Sequence, residues 1–352
     1  MKKEYSFSEI LNLTTIDLMK KYKNIVVFGL GVDDPKRIFG TTKGLVEKFG
    51  SHRVFDMPAS ENAMTGFGIG MSLNGYLPIM IHQRMDFFLL AIDQLINNAA
   101  KWKYMFGGQA YVKIIIRLII GRGWGQGPTH SQNFQNLFAG IPGLKVFLPS
   151  FPSTARSLLV DAISSKDPVI FIEHRWLHNI KEKINLKIKL KKTEPIAVLK
   201  KGNDITIVSF SYSTIEIKKI YKVLSFNRIS FEHLDINIIK PLKIEKIYNS
   251  VKKTGRLLLL DNSSHAICSV SNDIISQLVI KDKNIFKKSP ITLLLPEIPS
   301  PSSFYLTKSF YHSSSNIIKN IEILVNKKIK FEKKIDFYKY HDIPDSNFSG
   351  PF

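Results

Sequence analysis

Cysteine is all but missing from the 352 residues. Cys268 is the only one, which excludes a disulfide framework and a cysteine-based zinc site. No apolar run reaches the roughly 18–20 residues that a membrane span needs; Arg117 interrupts the longest strand-like stretch, YVKIIIRLII. Glu4 and Glu9 stand where a secretory signal carries its apolar core, so a cytoplasmic protein is expected. A phosphate-cradling P-loop needs Gly-Lys-Ser/Thr, and no such triplet follows the glycine-dense segment GRGWGQGPTHSQ (121–132). That segment also misses the dinucleotide spacing, with Gln126 or Pro128 where the third glycine belongs.

Arginine is scarce as well, at 9 of the 50 basic residues. A formal net charge of +21 would otherwise suggest nucleic acid, but arginine is the favoured residue for phosphate and base recognition. Residues 1–180 hold 20 basic and 13 acidic side chains (+7), and residues 181–352 hold 30 and 16 (+14). Most of the excess is lysine scattered among isoleucine and asparagine, so neither nucleic acid nor membrane is expected as a partner.

What is present is alternation. Strand-like stretches at 24–29, 52–57, 76–82, 111–120, 144–149 and 168–173 are separated by helix-like stretches at 36–49, 61–75, 85–108 and 153–165. Near-continuous Ile/Val/Phe strands between helices imply an α/β fold with a parallel sheet covered on both faces. The lysine-rich residues 181–203, broken by Pro195, read as a linker. A second α/β unit follows over 204–330, with strands at 204–210, 228–239, 256–261 and 291–296, and residues 331–352 form a tail without clean periodicity.

In an open parallel sheet, ligands bind beyond the carboxyl ends of the strands. Three features of the first domain, residues 1–180, fall at such junctions. Glu61 opens a helix of small residues, with Ser60 as its cap. Phe87 and Phe88 lie just past the strand 76–82, and the glycine loop ending in His130 follows the strand 111–120. Taken singly, each has a plain structural explanation: a helix-favoured acid, core aromatics, a surface loop. Together they offer an acid among apolar and small groups, an aromatic face and a loop bearing a proton carrier. Such an acid can exchange a proton with a ring nitrogen, and such a face can stack on that ring.

The stretches RVFDMPASE (53–61), AIDQLINNAAKWKYMFGG (91–108), HSQNFQNLFAGIPGLKVFLPS (130–150) and DPVIFIEHRWL (167–177) carry a resemblance. Residues 24–180 resemble the β subunits of thiamine-diphosphate-dependent 2-oxo acid dehydrogenases, the E1 components of pyruvate and branched-chain type. PLKIEKIYNSVKKTGRLLLLD (241–261) and LLPEIPSPSS (294–303) resemble that family's second domain. The resemblance implies two open parallel or mixed-sheet domains: a transketolase-like pyrimidine-binding domain, then a transketolase C-terminal-like domain. It implies that Glu61 hydrogen-bonds N1′ of the cofactor's aminopyrimidine, that Phe87 packs on that ring, and that His130 handles protons and assists acyl transfer to a lipoyl arm. Trp124 and Gln126 would line the entrance. Ile114, Ala162, Ile163 and Asp167 match positions that hold a potassium ion.

Diphosphate and Mg²⁺ binding in this superfamily uses a Gly-Asp-Gly motif, and none occurs here. The resemblance therefore implies an α chain that carries that motif, an α2β2 heterotetramer, and a possible lipoyl-bearing E2 partner. Other departures are Leu30 and Gly31 in place of acid after the first strand, and Ser165 for an aspartate of the potassium loop. Further ones are Asn262–Cys268 in place of a glycine-rich turn, and an unusual His82–Gln83–Arg84 stretch. Two alternatives stay open at this point: half of a split transketolase-like, ketol-transferring enzyme, and a non-catalytic scaffold of the same fold.

Overall fold

The computed structural model describes residues 2–123, 125–188, 190, 192–331, 342–344 and 350. Trp124 and most of the tail expected over 331–352 lie outside them. Contacts divide the chain into two units, one of residues up to Gly121 with Leu137–Thr193, the other of Arg122–Asn136 with Glu194 onward.

The first unit opens with β1 (Lys3–Ser6) and a helix, Phe7–Lys21. Ser6 and Glu9 close a capping box: Ser6 Oγ accepts from the Glu9 amide at 3.2 Å, and the Glu9 carboxylate accepts from the Ser6 amide at 2.7 Å. The sheet uses β2 (Ile25–Gly29), β3 (Val54–Asp56), β4 (Leu77–His82), β5 (Ile115–Ile120), β6 (Lys145–Phe147) and β7 (Val169–His174). These six run parallel in the order β6-β7-β5-β4-β2-β3. β5 and β7 are buried along their whole length, as strands covered on both faces must be. Arg117, midway along β5, is fully buried and does not end the strand. Its guanidinium meets Glu173 of β7 in a two-pronged pair at 2.5 and 2.9 Å, and His178 Nε2 lies 3.2 Å from the same carboxylate.

Two helices expected as continuous are not. Residues 36–44 form turns, and only Leu45–Phe49 is helical. The Asp34 carboxylate accepts from the Arg37 amide at 2.6 Å, and Arg37, Ile38 and Phe39 all have left-handed φ of 50, 47 and 57°. The Phe39 ring takes the Arg175 guanidinium at 4.4 Å and that of Arg84 at 5.4 Å, contacts that outweigh local helix propensity. The stretch 85–108 breaks into Met85–Phe88, a 3₁₀ turn at Leu89–Ala91, a π-helical segment at Gln94–Ala99 and Trp102–Met105. Its polar side chains bond along and across the helix: Asn97 to Asp93 at 2.7 Å, and Gln94 to Asn62 of the neighbouring helix at 3.2 Å.

The stretch expected as a linker, 181–203, carries β8 (Lys181–Ile184), antiparallel to β1, and β9 (Ile196–Lys200). In the second unit β10 (Ile205–Phe210), β11 (Phe231–Ile236), the short β12 (Ile238–Lys240), β13 (Leu257–His265) and β14 (Ile291–Leu295) follow. The sheet order is β14-β13-β10-β11-β9, parallel except for β9. Ile205, Ile207, Phe231, Leu258 and Leu260 form its core with Ile317, Ile318 and Ile321 of the helix Ser314–Val325. Each fully buried aliphatic side chain of this kind contributes roughly 1.5–3 kcal/mol.

Candidate active site

Glu61 is the first residue of the helix Glu61–Leu73, which follows β3. At Gly68 the helix lies close to the sheet: a Cβ there would stand 2.8 Å from Ile114 Cδ1 and 3.0 Å from the Phe28 ring. Ser60 occupies the cap position, but its side chain makes no capping bond, so the helix start keeps unfilled donors. Glu61 is only 9% exposed, and its carboxylate takes no hydrogen bond or ion pair among the described residues. A carboxylate so placed is costly to bury unless a further group bonds it.

Phe87 sits on the next strand-to-helix junction, past β4, and so on the same rim of the same parallel sheet. The twin phenylalanines divide their roles. Phe88 is fully buried, edge-on to His82 at 5.0 Å, while Phe87 keeps 36% of its surface exposed. Phe88 is therefore core, and Phe87 is the aromatic face.

The turn after β2 was expected to lack acid at Leu30 and Gly31, and it lacks acid at those two positions only. Asp34 accepts a hydrogen bond from the Gln83 amide at 3.1 Å, and the Asp56 carboxylate accepts from the Val32 amide at 2.6 Å. Burial pushes the Asp56 carboxyl above its ordinary value. Gly31 suits the turn because its φ of 81° is one that L side chains rarely adopt, and a Cβ there would also displace the Gln83 amide. His82 is fully buried with no hydrogen bond to either ring nitrogen, and burial lowers its pKa to about 3. It is a neutral core residue.

The glycine loop belongs by its contacts to the second unit, so Glu61 and Phe87 lie in one unit and His130 in the other. Gly123, Gly125 and Gly127 have left-handed φ of 84, 66 and 61°. A Cβ on Gly123 would stand 1.9 Å from the Asp342 carbonyl oxygen, and one on Gly127 2.1 Å from Ser302 Oγ. Arg122 ties the loop down through Glu216 at 2.6 Å and lies over the Tyr311 ring at 4.3 Å. Gln135 holds its far end, donating to Ser264 Oγ at 2.8 Å and to the buried Asp261 carboxylate. Desolvation raises that carboxyl's pKa. The strand β13 runs on to His265, so the stretch that stands in place of a glycine-rich turn begins by extending the strand. Between these anchors His130 is half-buried, with Nδ1 2.9 Å from Thr129 Oγ1. Arg122, Glu216, Gln135 and Asp261 were not singled out from the sequence. The one visible signal was an arginine among glycines.

Family models match both units: the transketolase pyrimidine binding domain over residues 3–180 and the transketolase C-terminal domain over residues 195–317. The acetoin:2,6-dichlorophenolindophenol oxidoreductase β subunit of Cupriavidus necator is 34% identical, over 79% of this chain and 83% of that one. The equivalent subunit of Bacillus subtilis is 33% identical over 86% and 92%. The pyruvate dehydrogenase E1 component β subunit of Porphyra purpurea is 34% identical over 86% and 90%. The chain belongs to the E1 β-subunit family of thiamine-diphosphate-dependent 2-oxo acid dehydrogenases. A solved split-gene transketolase, described as an inactive beta4 tetramer, shares the fold with a TM-score of 0.72 and 19% identity, over 92% of this chain and 99% of that one.

For an E1 β subunit, the residues fit one half of the cofactor. The unpartnered Glu61 carboxylate and the outward Phe87 suit a protonated heterocycle. A diphosphate–Mg²⁺ half needs hard oxygen ligands in a set, and among the described residues no three acidic, histidine or cysteine side chains cluster as a metal site. No described helix is long and apolar enough to cross a membrane. Ile114, Ala162, Ile163 and Asp167 do come together in this E1 β subunit, lining one small cavity at the opposite rim of the first sheet, but that rim already holds cations. Lys103 Nζ is 3.0 Å and Lys145 Nζ 3.5 Å from the Asp167 carboxylate.

Proposed function

We propose that this β subunit works in a thiamine-diphosphate-dependent oxidative decarboxylation of a 2-oxo acid, with transfer of the acyl group to a lipoyl arm carried by an E2 partner. The observation that carries the reading is Glu61: a carboxylate nine-tenths buried, without a partner among the described residues, at the ligand-binding rim of a parallel sheet. Bound thiamine diphosphate supplies the carbanion and the electron sink that decarboxylation needs. The chain's own residues position and protonate. Glu61 holds a proton against the aminopyrimidine N1′, and Phe87 packs on the same ring and excludes water. His130, on its tethered loop, moves a proton at the reacting end. Gln126 stands near it in sequence and would line the entrance.

The diphosphate and Mg²⁺ fall to an α chain with the Gly-Asp-Gly motif, in an α2β2 assembly in the cytoplasm. The test is CO₂ release from pyruvate by the reconstituted pair, run beside a sugar-phosphate ketol-transfer assay. Glu61→Gln should lower decarboxylation by roughly 10²–10⁴-fold, the usual worth of a positioned proton carrier. Near-normal CO₂ release in that variant, or activity in the sugar assay alone, refutes the assignment.

A further inference from the structure

The cavity lined by Ile114, Ala162, Ile163 and Asp167 measures about 10 Å³ and has been closed from within. Three of its carbonyl oxygens are engaged. The Ile114 carbonyl accepts from the Val169 amide at 2.9 Å, and the Ala162 carbonyl accepts from the Ser165 amide at 3.0 Å. Ser165 Oγ donates to the Asp167 carbonyl at 2.8 Å. Ser165 accepts in turn from Lys145 Nζ at 2.9 Å. The same ammonium stands 3.5 Å from one oxygen of the Asp167 carboxylate, and Lys103 holds the other at 3.0 Å.

The charge count follows directly. One carboxylate faces two ammonium groups, so this rim is net positive without any bound ion. A further cation placed beside these ammonium groups would be repelled by them. The helix Pro152–Ile163 ends here, and its last carbonyls form a negative pole that a cation stabilises. Lys145, from β6, brings its ammonium to Ser165, two residues past that helix end. A serine at 165 suits the arrangement, because its hydroxyl can accept from an ammonium and donate to a carbonyl at once, which a carboxylate cannot.

We propose that the ammonium of Lys145, seconded by Lys103, takes the structural place of a monovalent metal ion, so that this E1 β subunit needs no potassium to hold its 162–168 turn. The inference concerns the fold alone and stands apart from the decarboxylase reading, because its readout is unfolding and not turnover. Thermal unfolding of the full chain, with its partner if one co-purifies, is compared in KCl and in choline chloride at equal ionic strength of about 0.1 M, where long-range screening is the same. Wild-type Tm should agree within about 1 °C between the two salts. Lys145→Met should unfold roughly 2–4 °C lower in choline and recover part of that loss in potassium. If that variant fails to fold, Lys145→Gln, which keeps a donor for Ser165, carries the same comparison. A saturable rise of wild-type Tm with potassium, or a Lys145 variant indistinguishable from wild type in both salts, overturns the proposal.

Discussion

His82 holds a fully buried imidazole with neither nitrogen bonded. Burial lowers its pKa to about 3, that of His233 to about 3 and that of His178 to about 4, the last against the opposing pull of Glu173. All three are depressed below the unfolded value of 6.5, so their contribution is complete above pH 6.5 and is lost as pH falls toward 4. Each then weakens the fold by about 1.4 kcal/mol per pH unit. Tm should drop steeply between pH 7 and pH 5 in calorimetry. His82→Phe should flatten that slope by about a third and raise stability at pH 7 by about 1–3 kcal/mol, since an unsatisfied polar group is removed. A variant with an unchanged slope would show that His82 titrates freely. The sequence marked His82 only as a departure from the usual stretch, because composition along the chain cannot show that a polar ring has no partner. The placement of Glu61 and Phe87 was legible for the opposite reason: each sits at a strand-to-helix junction whose position follows from periodicity, and the roles proposed for them await the tests above. Which of two adjacent phenylalanines faces outward needed the structure.

At the scale of elements, the spacing of glycines announced a loop that other residues could not form, and their left-handed φ values agree. What the spacing could not reveal was the loop's anchorage. Ser302, Asp342, Glu216 and Asp261 lie far away in sequence and meet it only in the fold. Gly123→Ala adds a Cβ 1.9 Å from a backbone oxygen and a left-handed alanine worth about 1–2 kcal/mol, so the loop must shift. With the α chain present, this variant should bind thiamine diphosphate normally while kcat falls at least tenfold. Steady-state kinetics beside a binding titration separate the two, and unchanged kcat would show that the loop does not position His130. The strands β8 and β9 were hidden inside a lysine-rich stretch, where exposed edge charge masks the period-two pattern. The 85–108 helix read as continuous because its hydrophobic spacing is helical throughout; the 3₁₀ turn and the π-helical segment inside it leave no mark on that spacing.

For the whole molecule the proposed reading turns on an incomplete site. On that reading one chain offers an acid and an aromatic for a heterocycle, while among its described residues no three acidic, histidine or cysteine side chains cluster as a metal site. Buried pairs such as Arg117–Glu173 lie within the sheet without joining the site; Glu173→Gln, which leaves a buried guanidinium without its counter-charge, should cost about 3–5 kcal/mol in urea unfolding. The net charge of +21 sets solubility and encounter with partners and does not bear on the fold. Calorimetric titration of thiamine diphosphate with Mg²⁺ into the β chain alone, the α chain alone and the mixed pair tests the account most directly. Saturable binding by the pair only, weakened by Glu61→Gln, is the predicted result; binding by the β chain alone as tight as by the pair would contradict it.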